Sequence, residues 1–110
     1  MKIKITFTIL VAMLFFSLVG YSQDHHVRIA FMGNSITIGA GLSGPAEAYP
    51  AQTSLLLSKV YGDTCIIENF AVSGRTLLRK GDVPLWNDKQ YTDSWNFAPD
   101  IVFILLGTND

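Results

Sequence analysis

Between Val27 and Leu106, hydrophobic and polar positions alternate in a repeating order of strand, loop and helix. Val27 to Met32 (VRIAFM) is a short apolar, β-branched run closed by Gly33, the pattern of a buried parallel strand. A glycine-rich loop, NSITIGAGLSGP, follows it. From about Ala51 to Tyr61 the residues Leu55, Leu56, Leu57, Val60 and Tyr61 have helical spacing, with Pro50 suited to the first turn and Gly62 to the stop. Cys65 to Phe70 (CIIENF) predicts a second strand, and the small-residue loop AVSG comes after it. Residues 75 to 88 are polar and turn-rich, with Gly81, Asp82 and Pro84. Lys89 to Phe97 predicts a helix with Tyr91 and Trp95 on one face, read as its buried face, and Pro99 ends it. Ile101 to Leu106 (IVFILL) is the third and most apolar strand. Strands alternating with helices predict an α/β domain with a parallel sheet.

The segment ahead of Val27 has a different pattern. Residues 5 to 20 carry no charge, Lys2 and Lys4 precede them, and Gly20 and Ser22 supply small residues, so 1–22 reads as a secretory signal peptide cleaved near Ser22/Gln23. The apolar run is shorter than the ~20 residues that span a bilayer, so contact with a membrane is expected only through this segment during export. The location implied is secreted or periplasmic. The overall hydrophobic share, 49%, owes part of its height to this segment. Residues 23–110 hold 6 Lys+Arg against 9 Asp+Glu, a formal charge of −3, which excludes a basic nucleic-acid-binding domain. They amount to one domain at most. Cys65, the single cysteine, permits no internal disulfide and is read as a small buried residue beside a strand.

Polar residues with chemical potential cluster in the loops after the three strands. In an open parallel sheet the binding crevice lies outside the carboxyl ends of the strands, so Asn34 and Ser35, Ser73 and Gly74, and Gly107 to Asp110 are expected to line one site. A hydroxyl at Ser35 would be exposed at the sheet edge, within reach of a base. Gly74 can present an unobstructed backbone N–H, and Asn109 a side-chain N–H. With the N–H of Ser35, these are the donors an oxyanion requires. Each residue alone is an ordinary turn former; their joint placement after successive strands favours a site.

These residues carry a resemblance. FMGNSITIG at 31 to 39, NFAVSGRTL at 69 to 77 and LLGTND at 105 to 110 resemble, in order and spacing, the first three blocks of the SGNH (GDSL-type) esterase family. The resemblance implies a flavodoxin-like three-layer α/β/α sandwich, with a parallel sheet whose first strand lies between the second and third. By the same resemblance Ser35 is the nucleophile, and Ser35, Gly74 and Asn109 form the oxyanion hole. SGRTLLRKGDVPLWN looks like a secreted bacterial, sialate O-acetylesterase-like subgroup. Where the family usually has Asp before the serine, this chain has Asn34, so a negative charge near the nucleophile is absent. The implied activity is serine ester hydrolysis of short acyl esters, including O-acetylated carbohydrates, with no cofactor.

The family completes its triad with a later Asp-x-x-His, which does not occur here. His25 and His26 precede the first strand and are expected at its amino end, far from the crevice, as exposed N-terminal residues. Asp110 is expected to support the Asn109 loop. The chain is therefore expected to be the N-terminal part of a larger secreted esterase, with about three of the family's strands, a nucleophile and an oxyanion hole without a base, and little activity alone. The very apolar third strand would then be an unpaired edge. Two other readings compete. Gly39 to Gly44 (GAGLSG) fits the G-x-G-x-x-G fingerprint of a dinucleotide-binding domain, but six residues separate it from the strand it should follow directly. A non-catalytic carbohydrate-binding module would use Trp86, which lies near Arg75, Arg79 and Lys80 in sequence and is suited to stacking on a sugar. Arg75 and Trp86 are the substrate-binding candidates, and the basic loop 75–80 points to a polar or anionic substrate. No cluster of His, Cys and carboxylates has metal-ligand spacing.

Overall fold

The computed structural model describes residues 25–110. The expected signal peptide, 1–22, and its cleavage point lie outside them.

Three parallel strands form one sheet in the order β2-β1-β3: β1 is Val27–Gly33, β2 Cys65–Asn69 and β3 Ile101–Leu105. The first strand therefore lies between the other two. Phe31 pairs with Asn69 on one side and with Phe103 on the other, and Gly33 is level with Leu105. All three strands thus deliver their carboxyl ends to the same edge of the sheet.

Alternation along β1 sends side chains to two faces. Phe31 stacks on Phe103 at 5.0 Å and meets the edge of Tyr49 at 5.4 Å. That is the side of α2, Tyr49–Tyr61, whose first turn contains Pro50 and whose end is capped by Gly62 at φ +61°. Ala30 and Met32 on the opposite face join Phe70 and Leu85 in a buried cluster, with Tyr91, Phe97 and Leu106 packed against it. Tyr91 and Phe97 belong to α3, Lys89–Phe97. Helices on both faces of a parallel sheet make three layers, consistent with an incomplete α/β/α sandwich.

Two expectations change. The loop after β1 contains a one-turn helix, α1, Ser35–Ile38, because Asn34 caps its start and Gly39, at φ +98°, ends it. Tyr91 and Trp95 do share a face of α3, their rings 6.1 Å apart, but Trp95 is 68% exposed and Tyr91 half-buried. The sheet face beside Trp95 is itself open, since every residue of β3 is exposed at the edge of the sheet. The apolar stripe of α2 is open as well: Leu55, Leu56, Val60 and Tyr61 are all exposed. Cys65 opens β2 and is half-buried. Among the described residues no helix is long and apolar enough to cross a membrane.

Candidate active site at the carboxyl edge of the sheet

Ser35 is the first residue of α1, directly beyond the central strand. Asn34, 1% exposed, organises this turn: its side-chain Oδ1 accepts the N–H of Ile36 at 3.0 Å, and its backbone carbonyl accepts those of Thr37 and Ile38. The N–H of Ser35 is not among the donors Asn34 takes up. At the base of the turn Gly33 touches Thr37. A Cβ on Gly33 would lie 2.0 Å from Thr37 Oγ1 and 2.6 Å from its Cβ, so only glycine fits. Thr37 is fully buried, and its hydroxyl shares a 3.0 Å hydrogen bond with the Tyr49 hydroxyl of α2.

The loop after β2 runs beside this turn. Pairing continues past the strand: the Phe70 N–H donates to Phe31 O, and the Val72 N–H donates to Gly33 O at 3.0 Å. Asn69 at the end of β2 donates from Nδ2 to Thr37 O at 3.0 Å and accepts the Ala71 N–H on Oδ1, also at 3.0 Å. Gly74 then takes φ +74°, a left-handed conformation that favours glycine, and its missing side chain leaves open space.

The loop after β3 is stapled to the same loop from the other side. Asn109 donates from Nδ2 to Arg75 O at 3.1 Å, which orients its amide and leaves the second Nδ2 hydrogen to donate elsewhere. The Asp110 carboxylate accepts the N–H groups of Leu77 and Leu78 at 2.6 and 3.0 Å. Ser35, Gly74 and Asn109 thus come from three loops at one sheet edge, with the Gly74 loop held to both of the others. Asn34 and Asp110 are the residues that shape two of those loops.

Arg75 and Trp86 have partners within the chain. The Arg75 guanidinium grips Asp88 through Nε and, at 2.9 Å, through Nη2, and it also donates to Ser73 O. The hydrogen bonds with Asp88 hold its pKa above the ordinary value, against partial desolvation and with the help of the Asp88 charge. Arg75 therefore stays charged throughout the range in which enzymes work. Trp86 donates from Nε1 to Leu77 O at 2.7 Å, and the Arg79 guanidinium lies 5.2 Å from the centre of its ring. A cavity of about 560 Å³ opens along the sheet face between Trp86, Tyr91, Trp95, Met32 and Ile104. Neither Ser35, Gly74 nor Asn109 lines it, so volume does not mark the chemistry here.

His25 lies at the amino end of β1, its Nε2 3.7 Å from Asp100. A strand of seven residues, ~20 Å, separates that end from Ser35. The glycines at 39 to 44 follow α1, whereas the turn at the end of β1, where a dinucleotide fingerprint would have to lie, is occupied by Asn34 and Ser35.

The sequence pattern of the GDSL-like lipase/acylhydrolase family matches residues 31–110. This chain belongs to that family. It is also similar to an acetylxylan esterase of Xylanibacter ruminicola, 47% identical over 89 residues. Those residues are 80% of this chain and 18% of that protein, so the chain spans less than a fifth of its relative. No solved structure matches the chain.

In this GDSL-family chain, the Asn34 Oδ1 supplies the acceptor that the helix start requires. Sequence reading missed two residues that shape the site. Asn69 ends β2, and a polar residue at the carboxyl end of an apolar strand is a signal of a loop partner. For Thr37 the available hint is its position three residues after a capping Asn.

Proposed function

We propose that this chain carries the nucleophile and oxyanion loops of an exported serine esterase that removes acetyl groups from carbohydrates. The observation that carries the reading is the convergence of the Ser35 turn, the Gly74 loop and the Asn109 loop at one edge of the sheet, with Ser35 directly beyond the central strand. Ser35 Oγ attacks the ester carbonyl while a base takes its proton. The N–H groups of Ser35 and Gly74 and the Asn109 amide stabilise the resulting oxyanion. Collapse expels the alcohol, which recovers the proton from the base, and leaves Ser35 acylated. Water activated by the same base then releases acetate and restores the Ser35 hydroxyl. The base is a histidine elsewhere in the full-length protein, since His25 and His26 belong to the far end of β1; on this reading residues 25–110 alone are inactive.

The substrate class draws on the resemblance to sialate O-acetylesterase-like proteins and the similarity to an acetylxylan esterase. Their names share one chemistry, an acetyl ester on a sugar hydroxyl. Full-length protein is expected to release acetate from acetylated xylan and from 4-nitrophenyl acetate, and Ser35→Ala is expected to abolish both. Wild-type turnover in Ser35→Ala would remove the nucleophile assignment, and turnover of the synthetic ester alone would remove the carbohydrate assignment.

A further inference from the structure

We propose that Asn69 is a positioning residue for ester hydrolysis, its side-chain amide setting the separation between the Ser35 turn and the loop that bears Gly74. The inference rests on Ser35 as nucleophile and Gly74 as oxyanion donor. These two groups hang from different strands, β1 and β2, whose register ends at Phe31 and Asn69, with the Phe70 N–H to Phe31 O and Val72 N–H to Gly33 O bonds carrying the contact on to Gly33. Those backbone bonds stop at Gly33 and do not reach α1, which bears Ser35. Asn69 spans the gap, donating to Thr37 O of α1 and accepting from Ala71 N–H at the start of the Gly74 loop, each at 3.0 Å. One planar amide therefore grips both turns. At neutral pH an amide donates at one end and accepts at the other, whereas an ionised carboxylate of the same length only accepts.

The energetic and the geometric roles of Asn69 separate. α1 is a single turn, so its carbonyls lack the intrahelical partners a longer helix would supply, and water can satisfy Thr37 O in place of Asn69. Asn69 is exposed, so such replacement is available to it. Water keeps the carbonyl solvated but does not hold α1 at a set distance from β2. The other restraints on α1, the Thr37–Tyr49 hydrogen bond and the contact with Gly33, tie it to α2 and β1 and not to β2. Loss of the Asn69 donor is therefore expected to misplace Ser35 relative to Gly74, a fault felt in the transition state and not in substrate binding.

In the full-length enzyme, Asn69→Asp keeps the acceptor for Ala71 N–H and sets a carboxylate against Thr37 O. Turnover of 4-nitrophenyl acetate is measured per active site titrated to completion with a fluorophosphonate, so unfolded protein is not counted. At about pH 8, kcat is expected to fall at least ~10-fold with KM within about twofold, since a 1 Å misplacement can cost on the order of 10² in rate. As pH falls towards about 4, the ordinary range of an aspartic acid, the introduced carboxyl protonates and regains an O–H donor for Thr37 O, and the ratio of variant to wild-type kcat is expected to rise. Wild-type kcat per site, or an equal fall at every pH, overturns the proposal. If Asn69→Asp yields no titratable sites, Asn69→Ala decides: a lower kcat per site at unchanged KM supports the positioning role, and any other result overturns it. Ser35→Ala, run in parallel, keeps the failures apart. Activity there removes the nucleophile itself, whereas inactivity there with wild-type behaviour at Asn69→Asp removes only the positioning role.

Discussion

Gly33 is the position at which adding one methyl group should be most damaging to the site without touching a catalytic group. In Gly33→Ala the new Cβ would stand 2.0 Å from Thr37 Oγ1, 2.6 Å from Thr37 Cβ and 3.0 Å from Leu105 O. Rotating the Thr37 side chain removes the first clash but breaks its hydrogen bond to Tyr49. The second clash survives any rotation, because Cβ moves only with the backbone. Reaching ordinary contact requires α1 to shift by roughly 0.5–1 Å, and Leu105 O on the neighbouring strand crowds the same Cβ. Overpacking of this kind costs about 1–3 kcal/mol in stability. Because the displaced element starts at Ser35, the same shift is expected to lower kcat by on the order of 10². Both are read on the full-length protein, stability by denaturant unfolding and kcat on 4-nitrophenyl acetate. Gly33→Ala/Thr37→Gly, in which both Thr37 clashes are gone and only the Leu105 O contact remains, is expected to regain part of the kcat lost by Gly33→Ala. Wild-type stability and turnover in Gly33→Ala would refute the close approach and the argument built on it.

Other outcomes follow from the same geometry. Asn109→Ala removes the proposed oxyanion donor and is expected to lower kcat by roughly 10² to 10³ with little change in KM; an effect on KM alone would move Asn109 from the transition state to substrate binding. Asn34→Asp keeps the acceptor for the Ile36 N–H and is expected to fold as well as the natural chain, whereas Asn34→Ala loses the cap and about 1 kcal/mol of stability. Equal unfolding free energies for these two variants would show that the cap is not what holds the Ser35 turn.

Much of the frame was legible because it is written locally. A buried strand needs a contiguous apolar run, and a loop needs glycine, proline or short polar residues, so VRIAFM, CIIENF and IVFILL announced β1, β2 and β3 to within a residue at each end. Lys89–Phe97 emerged with the expected bounds, between a turn-rich stretch and Pro99. The single turn α1 was not legible, since four residues are too few to show a helical period; a cap at Asn34 and a left-handed Gly39 decide it. Periodicity likewise placed Tyr91 and Trp95 on one face of α3 but could not say what packs there. In the fold that face borders the open β3 edge, and Trp95 is left exposed.

By itself, the sequence determined which residues stand immediately after each strand, and so which hydroxyl, glycine and amide were available for chemistry. Only the tertiary structure decided how those loops are held together. The Asn69–Thr37, Asp110–Leu77 and Asn109–Arg75 hydrogen bonds join residues 32, 33 and 34 positions apart, and Arg75 finds Asp88 across 13. Local propensity carries no information at such separations. They form because three parallel strands in the order β2-β1-β3 end at a common edge, where polar groups leaving the sheet must find partners in one another.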